Sequence, residues 1–186
     1  SVSEDILVEE KSARTGAGLR ILVVGAGIGG LGVARALRQR GIATDIVERQ
    51  PAWTHTGTGI YLPGNAARAL GGLGLLDAVA ERADVIPSQH ICDHRGDLLA
   101  DIDLAAVWGE VGPCLALHRA ELHQILVSHG EPVPVRMGLS VRQLHQYDGS
   151  VTVGFDDGTT ASYDLVIGAD GVHSTVRRLR LGIDAV

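Results

Sequence analysis

An α/β fold with a parallel sheet at its centre is predicted by three observations. Ile21-Leu22-Val23-Val24 runs directly into Gly25-x-Gly27-x-x-Gly30. The glycines open a stretch of helical spacing that ends at Gly41. A second apolar run, Ala43 to Val47, then closes on Glu48 and Arg49. Four apolar residues without polar alternation suit a strand covered on both faces. Two such strands joined by a helix within roughly thirty residues pair in parallel, since the crossover leaves no other sensible connection.

The remaining elements follow in order. Leu31, Ala34 and Leu37 give Leu31 to Arg40 one apolar helical face, and Gly41 is a natural stop. Gly57 to Gly64 reads as a glycine-rich loop, and Ala66 to Ala83 as two short helices around Gly71-Gly72-Leu73-Gly74. Val85 to Cys92 and Leu98 to Ile102 read as strands joined by Asp93-His94-Arg95-Gly96. Ala120 to Ser128 is amphipathic through Leu122, Ile125 and Leu126. Beyond Val133 the period becomes two, in Val141 to His145, Val151 to Phe155 and Thr159 to Tyr163. Asp148-Gly149 and Asp156-Asp157-Gly158 between them are hairpin signals. Leu165-Val166-Ile167 is a further buried strand, followed by Gly168-Ala169-Asp170-Gly171 and a helix from Ser174. A β-meander is thus inserted before the last parallel strand, and no internal repeat is present.

Composition narrows the function. At 186 residues the chain is a domain or a domain and a fraction, at about 150 residues per domain. No apolar run approaches the ~20 residues that span a bilayer. Acidic residues outnumber basic ones 22 to 16, for a net charge of −6. That balance argues against nucleic acid or an anionic membrane as partner. The two cysteines, Cys92 and Cys114, form no Cys-x-x-Cys pair, and Ser1 to Arg20 lacks the pattern of a signal peptide. A cytoplasmic protein is expected, with residues 1–19 as a mobile leader.

The glycine turn carries the first chemistry. Gly25 permits the tight turn, Gly27 lets backbone approach a pyrophosphate, and Gly30 allows helix and strand to pack closely. Ile28, Gly29 and Gly30 begin a helix whose free N–H groups and positive dipole end suit phosphate. Glu48, at the end of the second strand, is placed to accept from the two ribose hydroxyls of an adenosine. Strand, glycines, helix, strand and terminal acid together predict an adenine dinucleotide site. They leave NAD and FAD both open, because each puts a pyrophosphate on the same helix. Other chemistries find less support. His90, Cys92 and His94 alternate on a strand without a fourth zinc ligand, so no metal site is expected. No Gly-x-Ser-x-Gly elbow suggests a hydrolase. Trp53 and Trp108 read as loop anchors.

Asp170-Gly171-Val172-His173-Ser174-Thr175-Val176-Arg177 resembles the Asp-Gly-x-x-Ser-x-x-Arg motif of the single-component flavin-dependent monooxygenases and aromatic hydroxylases, the family that includes p-hydroxybenzoate hydroxylase. Gly25 to Gly30 with Glu48-Arg49, then Gly57-Thr58-Gly59-Ile60 with Asn65-Ala66-x-x-Ala69-Leu70, and Leu117-His118-Arg119-x-x-Leu122 agree with that family in order. The resemblance implies a Rossmann-like FAD-binding domain of the GR2 type with an inserted, incomplete β-sheet substrate domain. Residues 20–83 would form the FAD-binding βαβ unit and following helices, 84–118 part of the substrate domain, and 119–186 the rest of the FAD-binding domain. The resemblance also implies that Gly25, Gly27, Ile28, Gly29, Gly30, Glu48, Arg49, Gly59, Arg119 and Asp170 bind the cofactor. Arg119 would lie against the FAD pyrophosphate, Gly59 beside the flavin ring, and Asp170 near the phosphates. Arg177 would anchor the helix or serve the nicotinamide phosphate path. Thr58 departs from relatives that carry arginine nearby.

The chemistry so implied is reduction of FAD by NAD(P)H, formation of a flavin C4a-hydroperoxide with molecular oxygen, and hydroxylation of a small aromatic or polycyclic substrate. No catalytic side chain is named, since the flavin does the oxidation. A reductase or dehydrogenase that uses FAD without inserting oxygen, and a non-catalytic nucleotide-binding fragment, are the alternatives. The family's later Gly-Asp fingerprint has no counterpart among the fifteen residues after Gly171, where only Gly182-Ile183-Asp184 is similar. The chain therefore reads as an N-terminal portion that binds FAD weakly or not at all by itself.

Overall fold

The computed structural model describes residues 18–53 and 57–183, so the expected leader lies almost wholly outside the described residues. The first half runs β1 (Ile21–Val24), α1 (Ile28–Arg38), β2 (Thr44–Glu48), β3 (Gly59–Leu62), α2 (Gly64–Gly72), α3 (Leu76–Ala80), β4 (Asp84–Val85), β5 (Ser88–Cys92), β6 (Leu98–Asp103) and α4 (Leu104–Trp108). The second runs β7 (Leu115–His118), α5 (Arg119–Ser128), β8 (Val135–Met137), β9 (Val141–Tyr147), β10 (Ser150–Phe155), β11 (Thr160–Tyr163), β12 (Leu165–Gly168) and α6 (Thr175–Leu181).

The central sheet has the order β12-β1-β2-β8 and is parallel throughout. Its apolar runs are continuous because each face has its own cover. Val23 and Ile46 pack on Leu31 and Ala34 of α1 and on Leu122, Ile125 and Leu126 of α5. Leu22, Val24 and Val47 point the other way, onto Val141, Val153, Phe155 and Tyr163 of the antiparallel meander β11-β10-β9. Arg35 ties the two helices together: its Nε donates to the Leu126 carbonyl at 2.8 Å and an Nη to that of His129 at 2.5 Å. Both hairpin signals hold, with Gly149 at φ 73° and Gly158 at φ 84°.

Several expectations are corrected. Helix α1 starts at Ile28, three residues before Leu31, because the turn glycines continue the helix; it ends at Arg38, two residues before the expected Arg40. The stretch Gly57 to Gly64, expected as loop, contains β3, whose antiparallel partner β7 lies more than fifty residues away. Val85 to Cys92 is two strands divided at Pro87, which has no N–H for a ladder. Strand β12 is an edge strand among the described residues, with Leu165 48% exposed, rather than a buried one. Helix α4 has no apolar period long enough to announce it; Asp103 starts it by accepting from Ala106 N–H at 3.0 Å. Strands β4 and β7 form one sheet with β3, and Leu115 and Leu117 of β7 join the main core. Strands β5 and β6 form a separate ribbon.

The β10–β11 turn is tied back to the start of β9. Asp156 accepts the backbone N–H of Ser140 at 3.0 Å, and Asp157 accepts the Thr159 hydroxyl at 2.6 Å and its N–H at 2.9 Å. The Ser140 N–H holds the Asp156 carboxyl below the ordinary aspartate value, and the Thr159 hydroxyl does the same for Asp157. A carboxyl depressed in the folded state takes up its proton more readily when unfolded. Its contribution is therefore present above the unfolded value near pH 4 and fades as pH falls through the folded one. The melting temperature is expected to drop below about pH 4, and Asp156→Asn to flatten that drop in scans from pH 7 to pH 2. An unchanged acid limb in the variant counts against these two contacts.

Candidate functional site

The turn from β1 into α1 is built from glycines with two different jobs. Gly25 adopts φ 100°, and a Cβ there would stand 2.5 Å from the Ala169 carbonyl oxygen. A Cβ on Gly30 would stand 1.9 Å from the Gly25 carbonyl oxygen. These two let the strand, the helix and the β12–α6 connection touch. Gly27 and Gly29 instead leave open space, with nothing within 4 Å of an added Cβ. Gly27 caps α1 without a side chain, and no acid lies in the first turn. The N-terminal amides and the positive end of the helix therefore face that space uncompensated, which is the environment a phosphate takes.

Glu48 ends β2 beside this turn. Its Oε2 accepts the Ala26 N–H and its Oε1 the Gln50 N–H, each at 2.9 Å. The acid braces the turn and keeps lone pairs for further donors. Asp170 arrives from the other side, since the Ala169 N–H donates to the Val24 carbonyl at 2.7 Å. One carboxylate oxygen accepts the Ser174 hydroxyl at 2.6 Å; the other accepts the N–H of Thr175 at 2.6 Å and of Val176 at 3.1 Å. In this arrangement Asp170 braces the start of α6, whose N-cap is Ser174, its hydroxyl accepting the Arg177 N–H at 3.0 Å. Arg177 turns inward on the same helix and donates through an Nη to the Val172 carbonyl at 2.6 Å; its buried Nε has no acceptor among the described residues.

A crevice of about 370 Å³ is lined by Gly25, Gly27, Glu48, Arg49, Arg142 and Asp170, among others. The two βα corners, some 140 residues apart in sequence, thus share one opening. A smaller recess of about 120 Å³ shares Gly27 and Glu48 with this crevice and has Trp53, Arg119 and His123 in its wall. Arg119 opens α5 and is exposed; its N–H donates to the Thr58 carbonyl at 3.1 Å, which brings the start of β3 to the start of α5. Gly59 lines neither cavity. It lies across from His118 on the open face of the β3-β7-β4 sheet. Ile28 packs its side chain on the core and offers only its backbone.

Three residues escaped the sequence reading. Arg142 enters the crevice from β9. Tyr61 lies two residues beyond Gly59, and its hydroxyl donates to Cys114 Sγ at 3.2 Å, a bond that raises its phenol above the ordinary tyrosine value. His123 places Nε2 2.9 Å from the Ala26 carbonyl oxygen. Its position four residues after Arg119, one turn along the same helix face, is the signal that could have found it. Elsewhere His90 Nδ1 meets Asp101 at 3.1 Å across the β5–β6 ribbon. Among the described residues no three potential metal ligands converge, and no helix is long and apolar enough to cross a membrane.

The cavities suit an adenine dinucleotide in chemistry: open space before an uncapped helix start, a carboxylate beside it, and guanidinium groups in the walls of both. Comparison with known proteins agrees. A family described as FAD binding domain matches residues 19–185. A 3-amino-4-hydroxybenzoate 2-monooxygenase of Streptomyces cremeus is 42% identical over 165 residues, covering 86% of this chain and 41% of that protein. A 6-hydroxynicotinate 3-monooxygenase of Pseudomonas fluorescens is 35% identical over 168 residues, covering 88% and 43%. The crystal structure of Klebsiella pneumoniae HpxO complexed with FAD and uric acid superposes with a TM-score of 0.76 at 31% identity, over 89% of this chain and 42% of that one. The chain spans about two fifths of the length of the curated relatives it matches.

Proposed function

The chain belongs to the FAD binding domain family, and from that premise we propose that it is the FAD-binding part of a monooxygenase. The enzyme would use NAD(P)H and molecular oxygen to hydroxylate a small aromatic or polycyclic molecule. The observation that carries this reading is the single crevice onto which Gly25, Gly27, Glu48 and Asp170 all open.

Each group has work to do in such a site. The amides of Gly27 to Gly30 meet the pyrophosphate at the start of α1, where fixed N–H dipoles cost no reorganisation. Glu48 accepts from the adenosine ribose while still holding the Ala26 N–H. Arg49 and Arg119 carry permanent charge to the phosphates, and Arg119 has the fork geometry for two of their oxygens. Gly59 leaves the open face of β3 free of a side chain for a flat ring. Asp170 holds the start of α6 in place and so keeps the second wall of the crevice. FAD bound there supplies a ring that accepts two electrons from a nicotinamide and passes them to oxygen, one atom of which enters the substrate. The protein's part is to position the reactants and keep water out. The division into residues 20–83, 84–118 and 119–186 belongs to the same proposal, with β5 and β6 pairing only with each other among the described residues. The substrates in the relatives' names, an aminohydroxybenzoate and a hydroxynicotinate, support a small ring activated by a hydroxyl or amino group.

Expressed from its whole reading frame, the protein is expected to bind one FAD and to consume NAD(P)H faster when a hydroxybenzoate or hydroxypyridine substrate is added. The product should carry one oxygen atom from labelled O2. NAD(P)H consumption that yields only hydrogen peroxide or a dehydrogenated product would favour the reductase reading.

A further inference from the structure

We infer that His123 is the positioning residue of the dinucleotide turn: it sets the direction of the Gly27 N–H that faces the cofactor's pyrophosphate. The inference rests on the FAD reading for its ligand and on the geometry of one buried residue for its cause. Ala26 is 1% exposed, so its backbone N–H and C=O must both find partners within the protein. Glu48 Oε2 takes the N–H at 2.9 Å, and His123 Nε2 meets the C=O at 2.9 Å. Two side chains from different elements, β2 and α5, thus hold the two peptide planes of one residue.

The second plane is the one that matters. The Ala26 carbonyl and the Gly27 N–H belong to the same trans peptide and point in opposite directions. Holding the carbonyl toward α5 turns the Gly27 N–H away from it. Gly27 has no Cβ, and an added one would meet nothing within 4 Å, so the His123 contact is the side-chain restraint on that plane. The contact also determines the imidazole's proton. A carbonyl oxygen only accepts, so Nε2 must carry hydrogen, in the neutral tautomer and the cation alike. Trp53 keeps the ring in place, its edge-on centroid 5.0 Å away at 63°. Arg119 lies one turn earlier on α5 and shares the recess with His123, so the same helix carries a phosphate-seeking charge and the support for the turn.

Three variants of the protein expressed from its whole reading frame separate this from simple packing. His123→Phe keeps a ring against Trp53 and removes the donor. His123→Gln restores an N–H at about the same reach. His123→Ala removes both. FAD affinity by flavin fluorescence is expected to fall roughly tenfold in Phe and Ala, the loss of one well-placed hydrogen bond, and to recover within threefold in Gln. Hydrogen exchange at the Ala26 and Gly27 amides, read without FAD, should quicken in Phe and slow again in Gln. Equal affinity and exchange in Phe and wild type overturn the inference, as does a Gln variant no better than Phe. Should wild type bind no FAD, the FAD reading fails and the exchange rates alone judge His123. Should Phe not fold, imidazole nitrogen shifts in wild type decide: a proton on Nε2 supports the assignment, and a bare Nε2 ends it.

Discussion

Gly30→Ala is expected to lower the melting temperature by roughly 10 °C, while Gly29→Ala next to it leaves it unchanged or slightly raised. An alanine Cβ at position 30 would stand 1.9 Å from the Gly25 carbonyl oxygen, 3.0 Å from its carbon and 3.3 Å from the Ala169 Cβ. The obstacle is backbone, and that backbone cannot give way. Gly25 is held at φ 100°, its N–H donates to the Val47 carbonyl at 2.8 Å, and a Cβ on it would already stand 2.5 Å from the Ala169 carbonyl oxygen. Relief requires moving α1 off the sheet, so about 3 kcal/mol or more is lost, the upper range of overpacking. At position 29 an added methyl meets nothing within 4 Å and replaces the poorest helix former but proline, worth up to ~1 kcal/mol in favour. Thermal melts of the two variants, without any ligand, are the check. A Gly30→Ala protein that melts within about 3 °C of wild type would mean that the strand, helix and β12–α6 connection do not meet as described.

Asp170→Ala is expected to unfold α6 locally, at a cost of about 2 kcal/mol, and to weaken FAD binding roughly tenfold as the crevice wall loosens. The carboxylate receives three donors: the Ser174 hydroxyl and the N–H groups of Thr175 and Val176. Besides these donors, the helix start has the Ser174 hydroxyl, which accepts the Arg177 N–H at 3.0 Å, and burial adds little. None of its seven residues is fully buried, Val176 alone is among the partly buried residues on the core, and Leu181 is 61% exposed. A helix this short is marginal without packing, so its start decides whether it forms. Asp170→Asn retains an acceptor for the backbone donors and should recover most of the loss. Amide exchange over residues 174–181 reads the effect directly. Protection that survives in Asp170→Ala would show that the helix is held by something other than this carboxylate.

Local features were legible before any coordinates. The glycines at 25 and 30, the terminal Glu48, the hairpin glycines at 149 and 158, and Asp170 before Ser174 each impose a constraint on their own neighbours. The elements that escaped depend on distant partners. Strand β3 looks like a glycine-rich loop until β7 supplies its ladder, and β8 has three residues whose place is given by β2. Asp170 shows the limit most clearly. Its motif marked it for the cofactor, and the structure shows its carboxylate first engaged with its own helix.

The sequence alone determined that a buried strand runs into an open glycine turn, that an acid ends the next strand, and that a second sharp βα corner follows much later. Backbone conformation near glycine, proline and aspartate is settled within a few residues, so a one-dimensional reading reaches it. Only the tertiary structure decided that both corners line one crevice and that Ala26 is held from β2 on one side and α5 on the other. Those meetings come from covering both faces of a four-stranded sheet, which burial enforces across more than a hundred residues of chain.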